Sequence, residues 1–244
     1  MISKMTGSFF SVFKSVFVLL KPELRRYVIM PLVINISLFA TTIYYLFSYF
    51  TEWMDSLLPS WLDWLNWLII PLFTVTIMIA VFYTFTIIAN IIAAPFNSLL
   101  AEKYEKLLTG DCDTSSDETI LQLVTRTIGS ELKKLSYILL WFIPLIIITI
   151  IPVINVISPF LWIIFAIWML SLEYMDYPMG NHNMRFSNIK QTVHTHKSMT
   201  LGLGSGLFIL TSIPFINFIA IPSGVLAATE LYTKHVKTEM AAGE

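Results

Sequence analysis

Ile151-Pro152-Val153-Ile154-Asn155-Val156-Ile157-Ser158-Pro159 interrupts one long charge-free stretch, and Ile213-Pro214-Phe215-Ile216-Asn217-Phe218-Ile219-Ala220-Ile221-Pro222 interrupts another. The shared pattern is I-P-x-I-N-x-I followed by proline. Proline removes a backbone donor and clashes with the preceding helical turn, so each pattern breaks a helix. Neither break carries a charge that would pull it into bulk water. The first copy leads to Glu173-Tyr174 and the second to Glu230-Leu231-Tyr232, an internal repeat of helix, sharp turn and helix.

Four stretches lack Asp, Glu, Lys and Arg altogether: residues 27–51, 64–101, 135–172 and 198–229. The first two read differently from the broken pair. Pro31 lies near the start of the first, and Pro71 and Pro95 lie near the two ends of the second. Residues 32–50 and 72–94 therefore run unbroken. At ~1.5 Å per residue each suits a hydrocarbon core of about 30 Å. In the broken pair, arms such as 135–151 and 198–213 reach only about 24–26 Å, and residues 223–229 are far too short to span. Both flanks of each broken stretch are basic: Lys133, Lys134 and Arg185 around one, Lys197 and Lys234 around the other. These features predict two re-entrant hairpins that enter and leave on one side, the alternative being two tight hairpins that cross fully and make six spans. Irregular backbone at depth must lie within protein or against a wet cavity.

Composition agrees with a membrane protein. The 244 residues are 56% hydrophobic and only 13% charged, with a mean hydropathy of +0.74, whereas a soluble domain is about a quarter charged. Net charge is −1, which gives no general attraction to nucleic acid. The single cysteine, Cys112, stands between Asp111 and Asp113, with no Cys/His metal spacing around it. Residues 1–20 contain Lys4 and Lys14 and have no small-residue cleavage site after a compact apolar core, unlike a cleavable signal.

The fifteen Lys and Arg are distributed unevenly: none lies between Tyr27 and Glu102. The connection between the two unbroken stretches is acidic (Glu52, Asp55, Asp63) and crowded with aromatics: Trp53, Trp61, Trp64 and Trp67, with Tyr44, Tyr45 and Tyr49. That is an aromatic belt at one water interface, and the basic bias puts both termini on the cytoplasmic side. The expected architecture is an all-α integral membrane protein. Two long transmembrane helices and two partly penetrating hairpins are joined by amphipathic interfacial or cytoplasmic helices. As one membrane domain over residues 1–244 it comprises an interfacial helix with an Arg pair (1–26), the first span (27–50), the second span (67–101) and a cytoplasmic helical region (102–134). The first hairpin (135–173), a connector (174–197), the second hairpin (198–230) and a tail (231–244) follow.

The remaining segments are amphipathic. Phe9, Val12, Phe13, Val16, Phe17 and Leu20 form the apolar face of a surface helix, with Ser8, Ser11 and Ser15 opposite. Glu102 pairs with Lys106 at i,i+4 where the second span continues into water. Ser115 and Glu118 have capping-box spacing, and Ile120, Leu121, Val124, Ile128, Leu132 and Leu135 carry a helix toward the first hairpin.

Several constellations could carry chemistry. Pro22-Glu23-Leu24-Arg25-Arg26 places a helix start, with its positive dipole end, beside two guanidiniums whose planar forks match a tetrahedral oxyanion. The plainer reading is a topology determinant or a lipid-headgroup contact. Glu173 to His182 packs Glu173, Asp176, Asn181 and His182 beside apolar surface. It could supply acid/base groups or metal ligands, or simply a hydrogen-bonded turn. Asn90, among Ala89, Ala93 and Ala94, suits helix–helix packing or a pore lining. Asn155 and Asn217 suit satisfaction of turn backbone or a polar path. Gly202-Leu203-Gly204-Ser205-Gly206 is a small-residue helix face with no preceding strand, so a nucleotide loop is a poor reading. His194 and His196, next to Lys197, read as water-facing.

Three stretches, in this order, resemble the CysZ family of bacterial sulfate permeases. They are Leu24-Arg25-Arg26-Tyr27-Val28-Ile29-Met30-Pro31-Leu32, Ala89-Asn90-Ile91-Ile92-Ala93-Ala94-Pro95-Phe96-Asn97 with Ala101-Glu102-Lys103, and Glu173-Tyr174-Met175-Asp176-Tyr177-Pro178 with Asn181-His182. The wider group shares an etoposide-induced-protein-like domain. The resemblance implies a bacterial cytoplasmic-membrane protein that admits sulfate for cysteine synthesis, with no ATP hydrolysis and no cofactor. It also implies an all-helical fold of two long spans and two partly penetrating hairpins, and assembly as dimers or larger homo-oligomers. The family's sulfate-contacting motif, Gly-Leu-Arg followed by a second Arg, falls on Leu24, Arg25 and Arg26. Glu23 stands where the glycine is usual, and its carboxylate either repels the anion or pairs with an arginine. Two other function classes are a non-conducting membrane scaffold and a membrane enzyme using Glu173, Asp176 and His182.

Overall fold

A computed structural model describes residues 2–57, 64, 66–110, 120–213 and 216–239. Every regular element among these is helical. The order is α1 (Ile2–Val18), α2 (Pro22–Leu57), α3 (Asn66–Thr109), α4 (Ile120–Ile150), a 3₁₀ turn (Ile154–Ile157), α5 (Ser158–Asn181), α6 (Phe186–Thr195), α7 (Lys197–Ser212), α8 (Asn217–Leu231) and a π-helical segment (Tyr232–Lys237). Cys112, its flanking aspartates, the Ser115/Glu118 cap, Trp61 and Asp63 lie outside the described residues.

The repeat forms as the sequence predicts. Around the first copy of the motif α4 ends, Val153 adopts φ +74°, and the 3₁₀ turn hands the chain to α5. Asn155 supports this turn through its backbone: its N–H donates to the Ile151 carbonyl (3.0 Å) and its carbonyl accepts from Ser158 Oγ (2.8 Å). At the second copy α7 stops at Ser212 and α8 begins at Asn217, whose N–H donates to the Ile213 carbonyl (3.2 Å).

Element boundaries shift from those read in the sequence. The helix expected from Ile120 forms, but it runs without a break into the charge-free stretch as one helix to Ile150, and α5 continues past Glu173 through Pro178 to Asn181. The expected turn at 174–182 is therefore the last two turns of a helix, with His182 as its C-cap. The connector is mostly α6, and the tail opens with a π-helical segment whose Tyr232 and Val236 are buried. Pro31 sits inside α2, which runs straight through it.

Among the described residues four helices are long and apolar enough to cross a bilayer: 22–46 in α2, 70–109 in α3, 128–150 in α4, and 154–181 through α5. α7 and α8, at sixteen and fifteen residues, are not. At ~1.5 Å per residue they extend about 24 and 22 Å. This is a membrane protein.

The chain divides into two compact units: Met1–Val28 with Pro95–Glu244, and Ile29–Ala94. The second unit is a helix pair. Among its described residues only Pro31 and Ala94 are buried, although nearly every side chain is apolar. Such a pair has no interior of its own to hide in and suits a hydrocarbon solvent. Phe39 and Phe85 meet across it at 4.7 Å between ring centroids, and Asn35 Nδ2 reaches the Ala89 carbonyl at 3.4 Å.

The first unit has a true core. α8 lies at its centre and is buried almost continuously from Ala220 to Leu231. α1, α5 and α7 pack around it, with Leu24, Leu172, Met175, Leu203, Leu207 and Leu226 fully enclosed. The glycines of α7 set its spacings. A Cβ on Gly202 would stand 2.2 Å from the Met5 carbonyl oxygen of α1, and one on Gly204 would stand 2.1 Å from the Ile167 carbonyl oxygen of α5. Backbone-to-backbone contact of this kind is how membrane helices pack when no hydrophobic drive separates helix from lipid.

Candidate functional site

The Arg pair occupies the corner between α1 and α2. α1 closes with 3₁₀-type bonds from Leu20 N–H to Phe17 O and from Lys21 N–H to Val18 O. Pro22, whose missing N–H costs nothing in a helix's first turn, opens α2. Leu24 points into the core and is fully buried, and its N–H donates to the Lys21 carbonyl (3.0 Å). The motif's leucine thus anchors the corner by its side chain, while both arginines are left outside.

Arg25 Nε donates to the Leu20 carbonyl at 2.8 Å. That bond satisfies an end carbonyl of α1 and fixes the guanidinium plane. Its two Nη groups make no hydrogen bond among the described residues. Arg26 lies over the ring of Tyr27, 4.8 Å from the centroid, and donates to its hydroxyl at 2.8 Å. Both arginines and Glu23 are solvent-facing. Among the described residues neither arginine forms an ion pair, so Glu23 does not neutralise them. The corner offers two pre-oriented cations to an anion, with a carboxylate one helical step away as a counterweight.

The other candidates go elsewhere. The buried half of α5 carries a chain of polar contacts. Asp176 pairs with Lys134 of α4 (3.1 Å) and accepts from Ser130 Oγ (2.8 Å). Asn97 Nδ2 of α3 donates to the Tyr177 hydroxyl (3.4 Å), and Asn181 Nδ2 donates to the Ser98 carbonyl (2.7 Å). His182 Nε2 lies 2.9 and 3.0 Å from the two carboxylate oxygens of Glu105. Lys237 Nζ reaches the same carboxylate at 3.0 Å, and the Tyr232 ring covers His182 at 5.2 Å. These contacts tie α3, α4, the end of α5 and the π-helical tail together. Asp176 and His182, grouped in sequence as acid/base candidates, have separate partners.

A family model described as sulfate transporter CysZ/etoposide-induced protein 2.4 matches residues 11–222. The chain belongs to this family. It is 40% identical over 218 residues to a sulfate transporter CysZ of Pectobacterium atrosepticum, covering 86% of this chain and 78% of the relative. A CysZ of Vibrio parahaemolyticus is 38% identical over 223 residues, with 89% and 90% coverage. One of Pseudomonas fluorescens is 36% identical over 220 residues, with 88% of each covered. The CysZ family is one of transporters, and the match runs from α1 into α8.

Set against the CysZ resemblance, the remaining predicted residues are spread out. Asn90 is exposed on α3 in the helix-pair unit, whereas Asn155 and Asn217 sit exposed at the two hairpin tips. Glu102 pairs with Lys106 at 2.7 Å on a half-exposed face, as expected. His194 is exposed beside Trp168, and His196 lies 3.6 Å from Glu239. No group of three His, Cys, Asp or Glu converges as a metal site among the described residues. The residue that the sequence reading missed is Glu105, which is fully buried at the centre of the α5 network. Its signal was available: Ser98, Ala101 and Glu105 step by three and four along one helix face.

Proposed function

We propose that this chain is a sulfate permease, a channel or facilitated transporter that admits sulfate across the bacterial cytoplasmic membrane for assimilation into cysteine. The observation that carries this reading is the match to CysZ transporters over most of the chain, together with an exposed Arg pair at the position of the family's anion motif. Sulfate is a dianion and very costly in hydrocarbon, so its path must be wet and lined with donors. Arg25 and Arg26 gather and orient the ion at the α1–α2 corner. Solvent exposure keeps the binding weak enough for release, which conduction requires. Flux runs down the sulfate gradient, and the chain works as a dimer or larger homo-oligomer.

The long helix pair spans the bilayer with the 51–63 connection outside and both termini in the cytoplasm. The two hairpins penetrate only part-way. Supporting this, their tips expose apolar side chains to the surroundings while their bases are packed: Val153, Val156 and Phe218 are 86%, 71% and 70% exposed. Uncharged apolar tips suit lipid, and the α7 and α8 arms are too short to cross it; α4 and α5 are long enough, so the partial depth of the first hairpin rests on its uncharged tip alone. A polar lining is proposed for Asn90 in the helix pair and, separately, for Asn155 and Asn217 at the exposed hairpin turns.

Purified protein in lipid vesicles is expected to take up radiolabelled sulfate above protein-free vesicles until the gradient is spent. Uptake no faster than in empty vesicles would leave a non-conducting scaffold instead. The hairpin depth has its own check. In a Cys112→Ser background, Asn155→Cys is expected to resist a membrane-impermeant maleimide added outside intact cells, and labelling there would mean that the first hairpin crosses fully.

A further inference from the structure

Helix α1 is amphipathic in the opposite sense to a water-soluble helix. The side it buries carries Ser8, Val12 and Ser15. It is seated against Gly202 and Gly206 of α7, where a Cβ would stand 2.2 Å from the Met5 carbonyl and 2.8 Å from the Phe9 carbonyl. Ser15 Oγ is buried with no hydrogen-bond partner among the described residues. The side α1 presents outward carries Phe10 and Phe17, 65% and 74% exposed, with Ile2. The expected apolar face is thus only partly turned out, and two of the three serines expected opposite it are turned in. In water this arrangement loses on both sides, since it wets large apolar groups and buries hydroxyls. In lipid the small side chains allow close helix contact and the phenylalanines meet a solvent that suits them.

The outward stripe is also basic. Positions 10, 14 and 17 step by four and three, so Lys14 lies between the two phenylalanines, and Lys21, three residues past the end of α1, is exposed. Residues 1–22 contain no Asp or Glu. Neither Lys14 nor Lys21 forms an ion pair among the described residues. An aromatic–cation–aromatic stripe without a counter-charge is complementary to acyl chains capped by negative headgroups, and zwitterionic headgroups offer no net charge to match.

We propose that the outer face of α1 is a docking surface for anionic phospholipid, with Phe10 and Phe17 among the acyl chains and Lys14 and Lys21 on the headgroup phosphates. It rests on the membrane location of the chain and stands apart from the sulfate reading. The test titrates the full chain in detergent with phosphatidylglycerol or phosphatidylcholine and counts bound lipid by native mass spectrometry. The natural chain is expected to retain phosphatidylglycerol preferentially, and added salt to weaken that preference. The K14Q/K21Q chain is expected to bind phosphatidylglycerol less tightly by about fivefold per lysine, with phosphatidylcholine binding unchanged. The K14R/K21R chain keeps both charges and keeps the preference. Equal retention of the two lipids by the natural chain, or an undiminished preference in K14Q/K21Q, would overturn the proposal. Sulfate affinity measured on the same samples reports separately on the Arg25/Arg26 site.

Discussion

The Arg25→Ala, Arg26→Ala double variant is expected to lose measurable sulfate binding on purified protein and to lose vesicle uptake with it. A charge-assisted contact contributes about 1.5–3 kcal/mol, and two exposed ones belong at the low end of that range. Removing both should weaken affinity by roughly a hundredfold or more. The two residues are not expected to contribute alike. Arg25 holds the Leu20 carbonyl through Nε, so an Arg25→Lys protein keeps the charge but loses both the planar fork and the bond that orients it. Arg26 is braced by Tyr27, outside the α1 turn, and Arg26→Lys should be milder. Isothermal titration with sulfate checks the series. Wild-type affinity in the double variant would remove the Arg pair from the site altogether.

The second large effect is expected at Glu105. Its carboxylate is fully buried, His182 and Lys237 converge on it, and Lys237 is only partly exposed. Glu105→Ala leaves a partly exposed imidazole and a partly exposed ammonium without their shared buried partner. Breaking a buried pair from one side costs about 3–5 kcal/mol, which for a chain of this size lowers the melting temperature on the order of 10 °C. Thermal unfolding in detergent reads the effect directly. A shift within about 2 °C would mean that the network carries no structural weight and that its water access is greater than the geometry indicates.

The parts legible in the sequence were those governed by local rules. The prolines and asparagines of the two I-P-x-I-N-x-I copies mark both hairpin turns, because a missing N–H and a steric clash act over a few residues. The Glu102–Lys106 pair follows from helical spacing alone. The family, and with it the transporter reading, was visible in three short motifs. What the sequence hid depends on partners far along the chain. The face of α1 was misread because burying Ser8 and Ser15 makes sense only once Gly202 and Gly206 lie opposite them. The α5 end was read as a turn because Pro178 and the polar run from Asp176 to His182 resemble one. Their buried partners, Lys134, Ser98 and Glu105, keep the helix going to Asn181. Glu105 itself was passed over in favour of Glu102, since periodicity gives a helix face but not what covers it. Leu24 was grouped with the anion-contacting residues, and the structure gives its side chain to the core.

Lys237 is made 132 residues after Glu105, the carboxylate it meets. On a ribosome adding about 5–20 residues per second, that gap lasts roughly 7–26 s. His182 is made first, 77 residues on, and the lysine completes the neutralisation only when the chain is nearly finished. Until then the end of the longest helix carries an acid group with no dry place to go. The clasp between Glu105 and the π-helical tail therefore works as a last-step lock. A nascent chain that stops before Lys237 leaves the buried Glu105 carboxylate with His182 as its one charged partner among the described residues.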